Sequence, residues 1–187
     1  MTAAASPRPI TAEDLLAMGP DARFELVEGQ LIPMPPTSDD HGSRTNRLSF
    51  HLSRHVYDND LGECWAAETG FLLARDPDTV LAPDFSFIAR ERLNYPGGGR
   101  GFVPIAPDLV VETRSPSDRL TDLRNKMRRW LDFGVRRALL LDPQQRTVTV
   151  YAPNAEPVTL TAADTLEGGD VLPGFALPLD RLFPENR

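Results

Sequence analysis

The hydrophobic and polar positions of this chain fall into short segments whose spacing is that of strands in some places and of helices in others. Short runs that are apolar or alternate with polar residues, and that are rich in β-branched and aromatic side chains, predict strands. We predict strands at 23–28, 30–34, 64–74, 84–89, 109–114, 137–141, 147–151 and 158–161. Because Gly29 separates the first two strands, they are predicted to form a hairpin.

Apolar side chains three or four residues apart predict helices elsewhere in the chain. The predicted helical segments are 12–18, from 37 or 38 to about 57, 118–133, and a last turn at 179–183. Leu48, Leu52 and Val56 lie four residues apart and form the buried stripe of the second helix. The Ser-Pro-Ser sequence at 115–117 caps the third helix and Gly134 ends it. A strand–helix–strand unit over residues 109–141 follows from this order.

The strand at 109–114 contains a charged residue where apolar ones are expected. Alternation of side chains places Val110, Glu112 and Arg114 on one face of this strand. Burying the charge of Glu112 is costly unless a partner compensates it. A divalent cation with a lysine is one such partner, and a salt bridge to an arginine is the ordinary alternative. The following helix supplies Lys126, although an exposed pair between Asp122 and Lys126 explains that lysine equally well.

Length and composition indicate one globular domain. The chain has 187 residues, of which 41% are hydrophobic and 25% charged, as in proteins that bury a core without disulfides. We expect residues 1–10 to be a disordered N-terminal segment and residues 11–187 to form a single domain. Cys64 is the only cysteine, which excludes an internal disulfide and a cysteine-rich zinc site.

Charge and hydropathy restrict the classes of partner. The net charge of −7 argues against binding nucleic acid by bulk electrostatic attraction. Basic residues still concentrate in the third predicted helix, at Arg119, Arg124, Lys126, Arg128 and Arg129. No apolar run is long enough to cross a bilayer, and the start of the chain lacks the pattern of a signal peptide. We therefore predict a cytoplasmic protein.

Several segments, taken in order, resemble one nuclease superfamily. The Pro-Asp pair ending at Asp84, the apolar strand containing Glu112, and then Lys126 follow the order of the PD-(D/E)XK nucleases. More closely, RFELVEGQL, the helix containing His41, APDFSFI, APDLVVETRSPSD, KMRRWLDFGV and LLLDP together resemble the Uma-two family of restriction-endonuclease-like proteins. The resemblance extends over roughly residues 11–182. It implies an α/β fold with a restriction-endonuclease-like core, in which helices flank a mixed β-sheet, an N-terminal hairpin precedes it and a C-terminal β extension follows.

The same resemblance implies a set of site residues. Asp84 and Glu112 would bind a divalent metal ion, Mg²⁺ or alternatively Mn²⁺, and Lys126 would be the catalytic lysine. The family pattern also includes an acidic residue in the first hairpin. Glu25 matches this position better than Glu28 does, and either residue would be a third ligand or would position water.

Other residues match or depart from the family pattern. His41 matches a histidine of the pattern and is a further site candidate. Asp108 belongs to a second Pro-Asp pair, but the earlier aspartate, Asp84, is preferred because its distance from Glu112 leaves room for an intervening strand or hairpin. Arg114 occupies the classical lysine position, and Trp130 stands where a tyrosine is usual. Arg114 would partly replace or assist Lys126, but because arginine stays protonated it would not act as a base.

The function implied by the resemblance is that of a metal-dependent endonuclease that hydrolyses phosphodiester bonds of nucleic acid, with DNA as the expected substrate. Mg²⁺ prefers carboxylate oxygens and lowers the pKa of a bound water. Family analogy also predicts a homodimer. Two alternatives stay open. The nuclease fold would serve as a catalytically inactive module that binds nucleic acid or a protein partner, or the site would hydrolyse another phosphate ester. His51 and His55 are predicted to be exposed helix residues without a metal.

Overall fold

The computed structural model describes residues 8–19, 21–34, 36–96, 99 and 101–184. The helices are α1 (Ala12–Ala17), α2 (Asp39–Asp58) and α3 (Leu120–Asp132), and a short 3-10 helix covers Arg90–Arg92. The strands are β1 (Phe24–Val27), β2 (Gln30–Pro33), β3 (Gly62–Ala66), β4 (Phe71–Ala74), β5 (Thr79–Leu81), β6 (Phe85–Ala89), β7 (Leu109–Thr113), β8 (Arg137–Asp142), β9 (Thr147–Tyr151), β10 (Val158–Thr161), β11 (Thr165–Glu167) and β12 (Ala176–Pro178). Residues 1–7 of the segment predicted to be disordered lie outside the described residues.

The central layer is a six-stranded sheet in the order β10-β9-β8-β7-β6-β3. The neighbours β7 and β8 run parallel, and α3 connects them, so the predicted strand–helix–strand unit is confirmed. The remaining neighbours in this sheet are antiparallel. The N-terminal hairpin belongs to a second sheet, β2-β1-β5-β4, and β11 pairs with β12 near the C-terminus. The predicted mixed sheet with flanking helices, N-terminal hairpin and C-terminal β extension is therefore confirmed.

Helices cover both faces of the six-stranded sheet. On one face, Leu48, Leu52 and Val56 of α2 pack in a cluster with the odd-numbered residues 109 and 111 of β7. On the other face, Met127 and Trp130 of α3 pack with Val110 of the same strand. The alternation predicted for β7 is confirmed, and its even-numbered face is turned toward α3. No helix in the described part of the chain is both long and apolar enough to span a membrane.

Two local predictions are confirmed at the start of the chain. Val27 pairs with Gln30 at the end of the first hairpin, and the intervening Glu28 and Gly29 have φ values of 50° and 76°. A two-residue turn with positive φ at both positions matches the twist of the flanking strands. At the start of α2, the Ser38 side chain accepts a hydrogen bond from a backbone N–H in the first turn. This cap fixes where the helix begins.

Two predicted boundaries are wrong. The third helix begins at Leu120, because the Asp118 carboxylate accepts a hydrogen bond from the Ser115 N–H (2.7 Å) and holds residues 115–118 in a turn. The segment 64–74 is not one strand. It divides into β3 and β4, which belong to different sheets, and the turn between them contains Glu68 with a φ of 70°.

Candidate active site

Asp84 and Glu112 lie at the same end of the central sheet because β6 and β7 are antiparallel neighbours. Phe85 pairs with Val111, so the residue that precedes β6 lies beside the last residues of β7. The Asp84 N–H donates to the Val111 carbonyl (3.0 Å), and the Thr113 N–H donates to Asp84 Oδ2 (2.7 Å). Backbone hydrogen bonds thus hold the aspartate against the end of β7.

Both carboxylate oxygens of Glu112 are engaged by side chains from α3. Glu112 is only 5% exposed. Lys126 Nζ lies 2.9 Å from its Oε1 and 3.0 Å from its Oε2, and Trp130 Nε1 donates to Oε1 at 2.8 Å. Lys126 and Trp130 are four residues apart, so both project from one side of the helix over the strand. The alternative in which Lys126 forms an exposed pair with Asp122 is therefore wrong.

Glu25 brings a second sheet to the same lysine. Its Oε1 lies 2.9 Å from Lys126 Nζ and accepts a hydrogen bond from the Ala82 N–H (2.9 Å). Glu25 is 7% exposed, whereas Glu28 is exposed in the hairpin turn. Of the two hairpin acids, the one that matched the family pattern better is the one joined to the cluster.

The composition contains a further signal for Lys126 that the sequence analysis did not use. Lys126 is the single lysine of the chain, and the other 19 residues of the Lys-plus-Arg total of 20 are arginines. An ammonium group is compact and has three rotatable donors, whereas a guanidinium is a larger, rigid fork. A buried gap that is bounded by two carboxylates, Glu25 and Glu112, suits the smaller cation. The hydrogen bond from Trp130 to Glu112 was not predicted either, because the helical spacing indicated a core residue and the resemblance named no partner for it.

His41 contacts the same oxygen of Asp84 that accepts the Thr113 N–H. Its Nε2 is 3.3 Å from Asp84 Oδ2, and the residue is 6% exposed. Burial opposes the charged imidazole, but Asp84 and the backbone of Thr113 outweigh it, and the pKa of His41 is raised. The first turn of α2, which Ser38 caps, therefore presents to the aspartate an imidazole whose charged form Asp84 favours.

Burial and neighbouring charge shift the pKa values of the central pair. Burial, reinforced by Asp84 and Glu25, raises the pKa of Glu112 to about 7 although Lys126 opposes the change. Burial disfavours the ammonium of Lys126, but Glu112 and Glu25 more than compensate, and its pKa is raised. The lysine therefore stays charged, and the surplus of carboxylates makes the cluster hold a proton near neutral pH.

The cluster opens onto a cavity of about 530 Å³. Its lining includes Glu25, His41, Asp84, Glu112, Lys126, Arg119 and Arg129. In the described part of the chain, no group of three or more His, Cys, Asp and Glu side chains is arranged to hold a metal ion. Mg²⁺, however, is commonly held by one or two carboxylates together with waters and substrate phosphates. The carboxylate oxygens at this cavity are of the type that Mg²⁺ prefers. In this structure the Lys126 ammonium contacts both oxygens of Glu112.

Two residues considered from the sequence lie apart from this cluster. Asp108 is fully buried at the start of β7, where its Oδ1 lies 2.8 Å from the guanidinium of Arg92. Arg114 pairs with Asp142 at the end of β8 (2.8 Å), and it does not line the cavity. The expectation that Arg114 assists the lysine therefore finds no support in its contacts.

Comparisons with known proteins agree with this fold. A family model described as Uma2, putative restriction endonuclease, matches residues 12–180. A crystal structure of a putative nuclease belonging to DUF820 from Anabaena variabilis is similar with a TM-score of 0.79 and 23% sequence identity, over 94% of this chain and 98% of that chain. No curated protein matches the chain. At this level of identity the structural likeness establishes the fold alone.

Proposed function

Since the chain belongs to the Uma2 family of putative restriction endonucleases, we propose that it is a metal-dependent endonuclease that hydrolyses phosphodiester bonds of DNA. The observation that carries this proposal is a group of three carboxylates at an open cavity, in which Glu25 and Glu112 contact the Lys126 ammonium and Asp84 lies beside His41. A simple salt bridge needs one carboxylate for each cation. Three carboxylates outnumber the two groups that can carry positive charge here, Lys126 and His41, and a divalent cation would compensate the remaining negative charge, which burial makes costly.

Asp84 and Glu112 are the residues that would hold the ion, Mg²⁺ with Mn²⁺ as a substitute. A bound divalent cation polarises a phosphate oxygen and lowers the pKa of a coordinated water. Asp84 uses Oδ2 for the Thr113 N–H and His41, and its Oδ1 accepts no hydrogen bond from the described residues. Trp130 keeps Glu112 in one orientation through Oε1. Such outer contacts orient metal ligands in general.

Lys126 would act as a charged hydrogen-bond donor in this mechanism. Its raised pKa keeps it protonated, so it cannot accept a proton from the attacking water. It would donate to a non-bridging phosphate oxygen and offset the negative charge that develops in the transition state. To reach the phosphate, Lys126 would give up its contact with Glu112 and keep its contact with Glu25. Glu25 would then be a positioning residue for the lysine. His41 plays the same part for Asp84.

The test is cleavage of supercoiled plasmid and of short single-stranded DNA with Mg²⁺ or Mn²⁺, and with EDTA as a metal-free control. Glu112→Gln should lower the rate by about a hundredfold or more, because the ligand charge is lost. Glu25→Gln should lower it less, because it only loosens the lysine. Glu28→Gln is the matched control, since this exposed acid of the same hairpin should leave the rate unchanged. Cleavage by folded Glu112→Gln at the rate of the unaltered protein would contradict the proposal.

A second candidate is a nuclease-fold module that binds nucleic acid or a protein partner without catalysis. The contact of Lys126 with both oxygens of Glu112 favours it, and so does the net charge of −7. It predicts DNA binding in a fluorescence anisotropy assay without any metal-dependent product. Homodimer formation and a cytoplasmic location stay predictions, and light scattering after size-exclusion chromatography tests the first.

A further inference from the structure

A second cavity, of about 580 Å³, adjoins the candidate active site. Asp84 and His41 line both cavities, together with Met34, Thr37 and Ala82, so the two cavities share one wall. One wall of the second cavity is the polar side of α2, and another is β3. We call it the α2–β3 pocket. Its volume lies within the range that is usual for sites that bind small organic groups.

The α2–β3 pocket has a wall of uncharged hydrogen-bonding groups. Asn46, Ser49 and Ser53 follow each other on α2 at spacings of three and four residues, so they share one side of the helix. Among the described residues, no hydrogen bond engages the side chains of Asn46 and Ser49. Arg23 and Glu68 at the rim pair with each other at 2.6 Å, which neutralises both charges. The pocket therefore offers polar groups but little that attracts a phosphate.

Two aromatic residues, Tyr57 and Trp65, are among those that line the pocket, but the Trp65 ring packs in the cluster on the α3 face of the sheet. The Tyr57 hydroxyl donates to Glu63 at 2.6 Å. Trp65 packs edge-to-face against Phe71, with ring centroids 6.2 Å apart and an interplanar angle of 83°. The Tyr57 ring, which the hydrogen bond to Glu63 fixes, provides flat apolar surface without losing much conformational entropy on binding.

We propose that the α2–β3 pocket binds one unpaired nucleobase beside the scissile phosphate. This inference rests on the proposed function, because it assumes that the phosphate lies at Asp84. A nucleobase is flat and uncharged and has hydrogen-bonding edges, which matches a pocket with the Tyr57 ring and with amide and hydroxyl groups. A base within a duplex cannot enter such a pocket, so the substrate is single-stranded DNA or DNA from which one base is flipped.

The charge of the active-site cavity is consistent with a DNA strand that passes Asp84 on its way from the α2–β3 pocket. Arg119 and Arg129 line the active-site cavity, and neither forms an ion pair with any described residue. Unpaired arginines attract the phosphate backbone rather than the bases. A strand that crosses Asp84 would thus place a base in the α2–β3 pocket and the phosphates of its other side near these two arginines.

The first experiment measures nucleotide binding without metal, so that it does not depend on cleavage. Deoxynucleoside monophosphates are titrated while the tryptophan fluorescence is recorded, and deoxyribose 5-phosphate serves as the ligand without a base. We expect a nucleotide-dependent change in fluorescence that Trp65→Phe removes. Ser49→Phe should weaken binding about tenfold or more by filling the pocket. Thr121→Phe, at an exposed position of α3, is the matched control and should bind normally.

Equal binding of deoxyribose 5-phosphate, or unchanged binding by Ser49→Phe, would overturn the inference. Asn46→Ala, with Asn125→Ala as its control, repeats the test at an exposed position where folding is not at stake. Nucleotide binding without any DNA cleavage would support the pocket and contradict the nuclease. Cleavage without base-dependent binding would contradict the pocket and leave the nuclease intact.

Discussion

Replacing Glu112 by glutamine should remove a pH dependence of stability that burial imposes on the protein. Burial, with Asp84 and Glu25 adding to it and Lys126 opposing, raises the pKa of Glu112 from 4.5 to about 7. The folded protein then binds this proton more tightly than the unfolded chain does. The resulting stabilisation is complete below the unfolded pKa and is lost as the pH rises through about 7. The change corresponds to roughly 3 kcal/mol of unfolding free energy.

Urea unfolding, followed by circular dichroism, measures this contribution. The free energy of unfolding is determined for the unaltered protein and for Glu112→Gln from about pH 4 to about pH 8, and the difference between them cancels most other titrating groups. Glutamine still accepts a hydrogen bond from Trp130 but does not titrate. We expect the unaltered protein to lose roughly 3 kcal/mol relative to the variant across this range. Added Mg²⁺ should then stabilise the unaltered protein at the upper pH and leave the variant unaffected.

A constant difference between the two proteins would refute this reasoning. An unfolding free energy of the unaltered protein that increases relative to Glu112→Gln as the pH rises would show the opposite sign of the effect. It would mean that Lys126 and Trp130 outweigh burial and that Glu112 is an ordinary ion-pair partner. That result would favour the salt-bridge explanation for a charge in this strand over a metal ligand.

Three further measurements test the structure at separate points. Trp130→Phe removes the 2.8 Å hydrogen bond to Glu112 and should lower the free energy of unfolding by about 2 kcal/mol, as measured with urea. Asp108→Asn should destabilise the protein by about 3 kcal/mol without affecting plasmid cleavage, whereas Asp84→Asn should abolish cleavage. Burial raises the pKa of the Cys64 thiol to about 12, so its alkylation by iodoacetamide at about pH 8 should be at least about a hundredfold slower than that of free cysteine.

The elements that could be predicted from the sequence are those with strong local signals. The unit β7-α3-β8 follows from an apolar run, a helical spacing and Gly134, whose φ of 95° ends the helix where the sequence indicated. The segment 64–74 shows the limit of such signals. Its residues favour strands throughout, but strand propensity does not specify a partner, and pairing with β6 and β5 sends its two halves into different sheets.

The candidate site was predictable in part for the same reason. The order of Asp84, Glu112 and Lys126 along the chain suggested the three residues, and antiparallel pairing of two adjacent strands brings the first two together. The contact between Glu25 and the lysine depends on how the hairpin sheet packs beside α3. No pattern within either segment specifies that packing, so the sequence could rank Glu25 above Glu28 only by resemblance.

The distribution of basic residues links the fold to the proposed chemistry. Arg114 follows Glu112 by two residues, yet its guanidinium is paired with Asp142. The single lysine, Lys126, comes instead from the next helix and contacts two carboxylates at once. An ammonium on a flexible stem can exchange one partner for another, whereas a guanidinium fork fixed on a carboxylate exchanges less readily. In the proposed mechanism, in which Glu112 would bind a metal ion while Glu25 keeps its contact with Lys126, a lysine therefore suits this position better than an arginine would.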